Sequence, residues 1–276
     1  MRRMRRRRRP LLVALAAWAA LAVPPAIAAA QAQPPPAAAA PATAPISVRS
    51  STDDKTGTNP LNLQQAVTLE NDFAALPDGL FFNRSVYRYT LPMLSRRLAV
   101  SADLPLVAGN LTGRTELGFG DLRVRAGWIP WLAARWGLLA GIETSWSTAT
   151  QDALGVGRPT AAPFVQIVFG PSASTIVAPY YRHRLSAGGD DDRPDVNRAE
   201  AGLYAVWRPS KTGWIAVDPR IVFDLEGDMT EGELAFEAGR LLFRNVGTYV
   251  RPAVWLGNAT TKTVDWRLAV GFRIIP

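Results

Sequence analysis

The sequence predicts an all-β protein: a closed antiparallel transmembrane β-barrel of about twelve strands. A cleaved leader and a Pro/Ala-rich stretch precede it. Three observations carry the prediction. Apolar and charged residues alternate with period two through most of residues 63–276, the connections alternate between long and short, and tryptophans gather at the ends of the alternating segments.

The clearest segment is residues 264–275, V-D-W-R-L-A-V-G-F-R-I-I. Val264, Trp266, Leu268, Val270, Phe272 and Ile274 share one parity; Asp265, Arg267, Ala269, Gly271 and Arg273 share the other. A strand sends successive side chains to opposite faces, so this segment has one apolar and one charged or small face. Period two excludes an amphipathic helix. The segment is longer than the roughly five or six residues of a usual soluble strand, and it reaches the nine to eleven or so that a tilted strand needs to cross a bilayer.

From the N-terminus, residues 1–30 read as a signal peptide: Arg2, Arg3 and Arg5 to Arg9, then an apolar run over 11–23, then small-residue cleavage sites at Ala26-Ile27-Ala28 and Ala28-Ala29-Ala30. Seven of the net +8 charges are these leader arginines, which leaves about +1 for the mature chain. The high pI is therefore no argument for nucleic acid as a partner. Residues 31–62, rich in Pro and Ala at the start, read as a disordered lead-in, and the barrel as residues 63–276. No later stretch is apolar enough for a membrane helix.

The expected strands are 64–75, 83–91, 97–106, 119–130, 135–147, 161–170, 174–186, 197–208, 213–225, 232–243, 246–256 and 264–275. Connections after odd strands are mostly long and polar, and those after even strands short. A bacterial transmembrane barrel shows this asymmetry, with tight turns and both termini on the periplasmic side. On the apolar parity the only charged residue is Arg240, near a short-turn end from which its head can reach the interface. The opposite parity interleaves arginines and carboxylates in near balance. The candidate lumen-lining residues are Arg88, Arg123, Arg125, Glu143, Arg182, Arg184, Asp218, Arg220, Glu237, Arg251, Asp265, Arg267 and Arg273.

Trp131 and Trp136 flank one short turn and Trp207 and Trp214 another, while Trp146, Trp255 and Trp266 lie at opposite strand ends. Indole favours the bilayer interface, so two girdles are expected. Alternation alone does not say which face is inside; the leader, strand length, girdles and loop asymmetry point to lipid outside. Pro163, Pro179, Pro219 and Pro252 fall inside strands on the apolar parity, where bulges are expected because proline removes a ladder donor.

Residues 88–94 (R-Y-T-L-P-M-L), 97–106 (R-L-A-V-S-A-D-L-P-L), 118–128 (G-F-G-D-L-R-V-R-A-G-W) and 136–146 (W-G-L-L-A-G-I-E-T-S-W) occur in order. Together they resemble the bacterial outer-membrane barrels named as transporters of the meta-pathway of phenol degradation. The resemblance covers roughly residues 59–275, and its most specific element is G-x-G-D before a strand. It implies an outer-membrane channel or uptake protein of a Gram-negative cell, with hydrophobic or aromatic compounds among the candidate solutes. Membrane lipids, lipopolysaccharide and the barrel assembly machinery are the expected partners. That machinery usually reads a terminal aromatic; here the last aromatic is Phe272.

Catalytic and metal chemistry find little support. There is no cysteine and a single histidine, His183. Outer-membrane hydrolases pair a His with a Ser on the lipid-facing side, but His183 and Ser186 differ in parity. No metal or cofactor is expected: Asp190-Asp191-Asp192 read as a solvated outer loop, with divalent cations between lipopolysaccharides as the alternative. Two functional classes stand against a passive channel: a non-conducting scaffold or adhesion barrel, and the less favoured hydrolase. The basic set Arg123, Arg125, Arg182 and Arg184 points to anions, whereas the near balance of lumen charge points to weak ion selectivity.

Overall fold

A computed structural model describes residues 54–189, 192–256 and 263–276. The leader, most of the lead-in, and Asp190 and Asp191 of the acidic loop lie outside the described residues. The strands are β1 (Ala66–Ala75), β2 (Phe81–Met93), β3 (Leu98–Gly109), β4 (Glu116–Phe119), β5 (Leu122–Leu132), β6 (Trp136–Trp146), β7 (Thr160–Ser172), β8 (Thr175–Ser186), β9 (Asn197–Trp207), β10 (Gly213–Asp224), β11 (Met229–Phe243), β12 (Val246–Leu256) and β13 (Trp266–Ile274). Neighbours pair antiparallel, and β1 pairs with β13 from Val67 opposite Ile274 to Ala75 opposite Trp266. That last ladder closes the sheet; among the described strands all but the short β4, which pairs with β3 alone, have a partner on both sides.

β4 and β5 share the partner β3 and form one of twelve wall positions. The break between them is a one-residue bulge. Leu106 faces Phe119 and Asp103 faces Arg123, so two residues of β3 oppose Gly120, Asp121 and Leu122. The extra residue flips the parity: Leu117 and Phe119 point outward above it, and Trp128 below it. The G-F-G-D motif is the bulge. The Asp121 carboxylate accepts from the N–H groups of Thr148 and Ala149, both at 3.2 Å, and of Val156 at 2.6 Å. It thereby holds the β6–β7 connection against the wall. Gly118 and Gly120 lack a side chain because Thr150 and Leu154 occupy that space. The Asp121 carboxylate, on the charged parity of the sequence pattern, thus serves the loop.

The four prolines do not create bulges. Register runs unbroken through Pro163–Ile142, Pro179–Leu203, Pro219–Leu234 and Pro252–Leu268. The ladder on the other side of each strand skips the proline and resumes unshifted. A missing donor costs one pair, and strands anchored on both sides absorb it without slipping. The register shifts fall instead between Trp128 and Trp131, Phe169 and Ser172, and Leu241 and Phe243, next to the short turns.

Candidate functional site: the barrel lumen

The wall is apolar outside and ionic inside. On β13, Trp266, Leu268, Val270, Phe272 and Ile274 are each 37–46% exposed, whereas Ala269 between them is 2% exposed. Their charged neighbour Arg267 turns inward to Asp72. Leu104, Leu106, Ile142, Ile167, Ile215 and Phe236 repeat the outward pattern on other strands. Water-soluble folds bury their large apolar side chains, so a continuous outward apolar belt over buried charge is the arrangement that suits hydrocarbon.

Trp131 and Trp136 stack at 5.7 Å and, with Trp207, face outward near the short turns; Trp146 and Trp266 face outward at the long-loop rim. Two tryptophans expected in the girdles face elsewhere. Trp214 is 1% exposed and points into the barrel, where its indole N–H donates to Glu237 at 2.7 Å. Trp255 has the inward parity of its strand, and the Arg267 guanidinium lies 5.6 Å above its ring. Both sit near strand ends, as a girdle requires, but clustering at an end does not fix the face.

Toward the long-loop rim the lumen is a chain of ion pairs. Asp72 accepts from Arg84 at 3.2 Å and from Arg267 Nε at 3.1 Å. Arg267 reaches Glu233, Glu233 accepts from Arg220, and Arg220 reaches Glu200. At mid-height Glu70 accepts from Arg251 at 2.7 Å and from the Tyr249 hydroxyl at 2.6 Å, and Arg251 also reaches Glu237. Arg88 holds Asp103 with two bonds of 2.6 Å. Arg184 donates to Glu143 at 2.6 Å, and Tyr180 to Asp218 at 3.0 Å. Paired charges of this kind satisfy groups that could not stay buried alone.

Inward aromatics lie flat on glycines of the adjoining strand. Phe164 covers Gly141, Tyr180 covers Gly202, Trp214 covers Gly239 and Tyr249 covers Gly271, so a Cβ on any of these glycines would strike the ring. The rings thus lie against the wall. A cavity of about 410 Å³ remains. Of the sequence candidates, Arg88, Arg125, Arg182, Asp218, Arg220, Glu237, Arg251 and Arg273 line it. Glu143, Arg184 and Arg267 belong to the ion pairs above, Arg123 lies on β5 one row nearer the long-loop rim than Arg125, and Asp265 sits just outside β13, its N–H bonded to Ala75.

The terminus-side end of the lumen is filled. There Leu61, 1% exposed, packs among Ile129, Leu139, Phe164, Val168, Ile176, Val206, Trp214 and Tyr249. Polar contacts fix the segment around it. Asp54 pairs with Arg208 at 2.7 Å and caps Thr56; the Thr56 carbonyl accepts from Arg273 at 2.7 Å; and Lys55 donates to the Pro276 carbonyl at 2.6 Å. Residues 54–62, read from sequence as the end of a disordered lead-in, therefore pack into the barrel mouth. Sequence reasoning missed them because D-K-T-G-T-N-P-L-N has no period and the partners lie up to 221 positions away.

His183 points outward; its ring nitrogens contact Tyr181 Oη at 3.2 Å and Asn197 Oδ1 at 2.9 Å. The Ser186 hydroxyl is occupied by the N–H of Val196. Among the described residues no group of His, Cys, Asp and Glu is arranged to hold a metal.

No family model matches the sequence, and no curated protein matches it. Solved structures do. An outer membrane channel from Pseudomonas putida F1 superposes with a TM-score of 0.62 at 11% identity, covering 80% of this chain and 98% of that one. The NanC porin follows with 0.56 at 12% identity, covering 77% and 100%, and the KdgM porin with 0.54 at 9%, covering 76% and 98%. The fold is the closed antiparallel barrel that these structures share. Identities this low establish the architecture alone.

Proposed function

We propose that this chain is an outer-membrane channel for the passive passage of small molecules. The observation that carries the reading is the sided wall: an apolar belt faces outward around a polar cavity inside a closed barrel. The neighbours in fold, an outer membrane channel and two porins, support the same class. The short turns and the described end of the chain share one rim, which faces the periplasm; the long loops face lipopolysaccharide. Export by the arginine-rich leader and insertion by the barrel assembly machinery complete the reading. The resemblance to the phenol-pathway barrels makes hydrophobic or aromatic compounds the first solutes to try. No catalytic step is assigned, since the single histidine is engaged by Tyr181 and Asn197.

In this reading residues 54–63 act as a plug that must move before a solute crosses. The same plug favours a second reading, a non-conducting scaffold. Liposome swelling separates the two. Liposomes holding the full-length protein should swell in small neutral sugars and small phenolic solutes, and more slowly in larger ones. Swelling no faster than protein-free liposomes for every solute would leave the scaffold.

A further inference from the structure

We propose that the lumen carries a binding site for a small organic carboxylate, formed by Arg125 and Arg182; the inference rests on the lumen being reachable by solute, as in the channel reading.

The lumen charge is paired unevenly around its circumference. On the β1–β2–β13–β12–β11–β10 side most lumen arginines meet a carboxylate: Arg84 and Arg267 meet Asp72, Arg220 meets Glu233, and Arg251 meets Glu70, while Arg273 donates to the Thr56 carbonyl. Across the barrel, on β5 and β8, register sets a carboxylate beside three of the four arginines 123, 125, 182 and 184: Asp103 beside Arg123, Glu143 beside Arg125 and Glu200 beside Arg182. Each of these acids is taken by another arginine: Asp103 by Arg88, Glu143 by Arg184 at 2.6 Å, and Glu200 by Arg220. Three guanidinium groups are left without a carboxylate among the described residues. Two of them, Arg125 and Arg182, line the 410 Å³ cavity. The Arg182 Nε is buried and has no hydrogen-bond partner. A guanidinium has five N–H donors and cannot shed its charge, so buried donors of this kind call for an anionic acceptor.

The wall holds the two arginines ready. Gly141 has no side chain, so the Phe164 ring lies against the wall, and the Arg125 guanidinium rests 4.2 Å above the ring centroid. Arg182 is the direct cross-strand neighbour of Phe164 on β8. A cation resting on an aromatic face keeps its N–H edge free, and that edge matches a carboxylate in two parallel bonds. The cavity volume suits a ligand of roughly drug-fragment size, since small-molecule sites span about 300–1,000 Å³. A local excess of positive charge favours a monoanion over a neutral analogue of the same shape.

The test is isothermal titration calorimetry of the full-length protein in detergent with benzoate, its neutral isostere benzamide, and inorganic phosphate. Benzoate should bind, benzamide at least about tenfold more weakly, and phosphate no better than benzamide, since one charge-assisted pair is worth about tenfold or more. Arg125→Gln and Arg182→Gln should each weaken benzoate by about tenfold, while Arg125→Lys keeps part of the affinity and Arg114→Gln, on the exposed long-loop rim, changes nothing. Equal binding of benzoate and benzamide overturns the site, and so does benzoate affinity unchanged in both glutamine variants. If a glutamine variant fails to fold, the comparison of benzoate with benzamide on the wild-type chain still decides. Binding without any liposome swelling would remove the channel reading and leave the site standing; swelling without carboxylate binding would do the reverse.

Discussion

Gly141 shows how one missing methyl sets the bore of the barrel. A Cβ there would sit 2.6 Å from Phe164 Cζ and collide with the Ala126 carbonyl. Gly141→Ala should therefore lower stability by about 1–3 kcal/mol, the usual cost of overpacking, and tilt Phe164 off the wall into the lumen. Urea titration of the heat-modifiable band on cold gels would read the loss, and an unchanged midpoint would count against flat aromatic packing. Asp72 offers a second residue-scale check. It is 5% exposed and holds both Arg84 and Arg267. Asp72→Asn leaves Arg84 without its carboxylate and Arg267 with Glu233 alone, and the cost should be about 3 kcal/mol or more. The same gel assay would show this as a lower midpoint. None of these pairs was legible in the sequence: parity assigned Arg84, Arg267 and Asp72 to one face, but which carboxylate meets which guanidinium depends on cross-strand register.

At the scale of the element, the period-two pattern was enough to find the strands. The segment 264–275 contains β13 (Trp266–Ile274), and its apolar parity is the outward face. The limits came where an element departs from regularity. G-F-G-D was noticed as a motif, yet that it is a bulge reversing the parity of its own strand needed the pairing with β3. The prolines misled in the other direction, because a strand paired on both sides tolerates one missing donor without shifting. The lipid-facing assignment makes a graded prediction along the wall. Val270→Arg, at mid-strand, should cost about 2–4 kcal/mol, and Leu117→Arg, at the long-loop rim, about 0–1 kcal/mol. Folding free energies measured by urea titration in phospholipid vesicles would test the ordering, and equal costs would place the two side chains at the same depth.

For the whole molecule, loop lengths and girdle tryptophans predicted a closed wall with its termini on the short-turn side, and the ladder from Val67–Ile274 to Ala75–Trp266 supplies the closure. What lies inside was much less legible. The near balance of lumen charge and the basic set Arg123, Arg125, Arg182 and Arg184 were visible, but which of those arginines keep a carboxylate was not, since Arg184 takes Glu143. The plug was hidden altogether, since its anchors Arg208, Arg273 and Pro276 are remote in sequence from Asp54, Thr56 and Lys55. The channel reading makes that plug the obstacle to flow. Single-channel recording in planar bilayers, comparing the full chain with a variant lacking residues 54–63, tests this most directly. The full chain should give brief, infrequent openings and the deletion a steady, larger conductance; a deletion variant that inserts, keeps its heat-modifiable fold and passes no current would contradict the account.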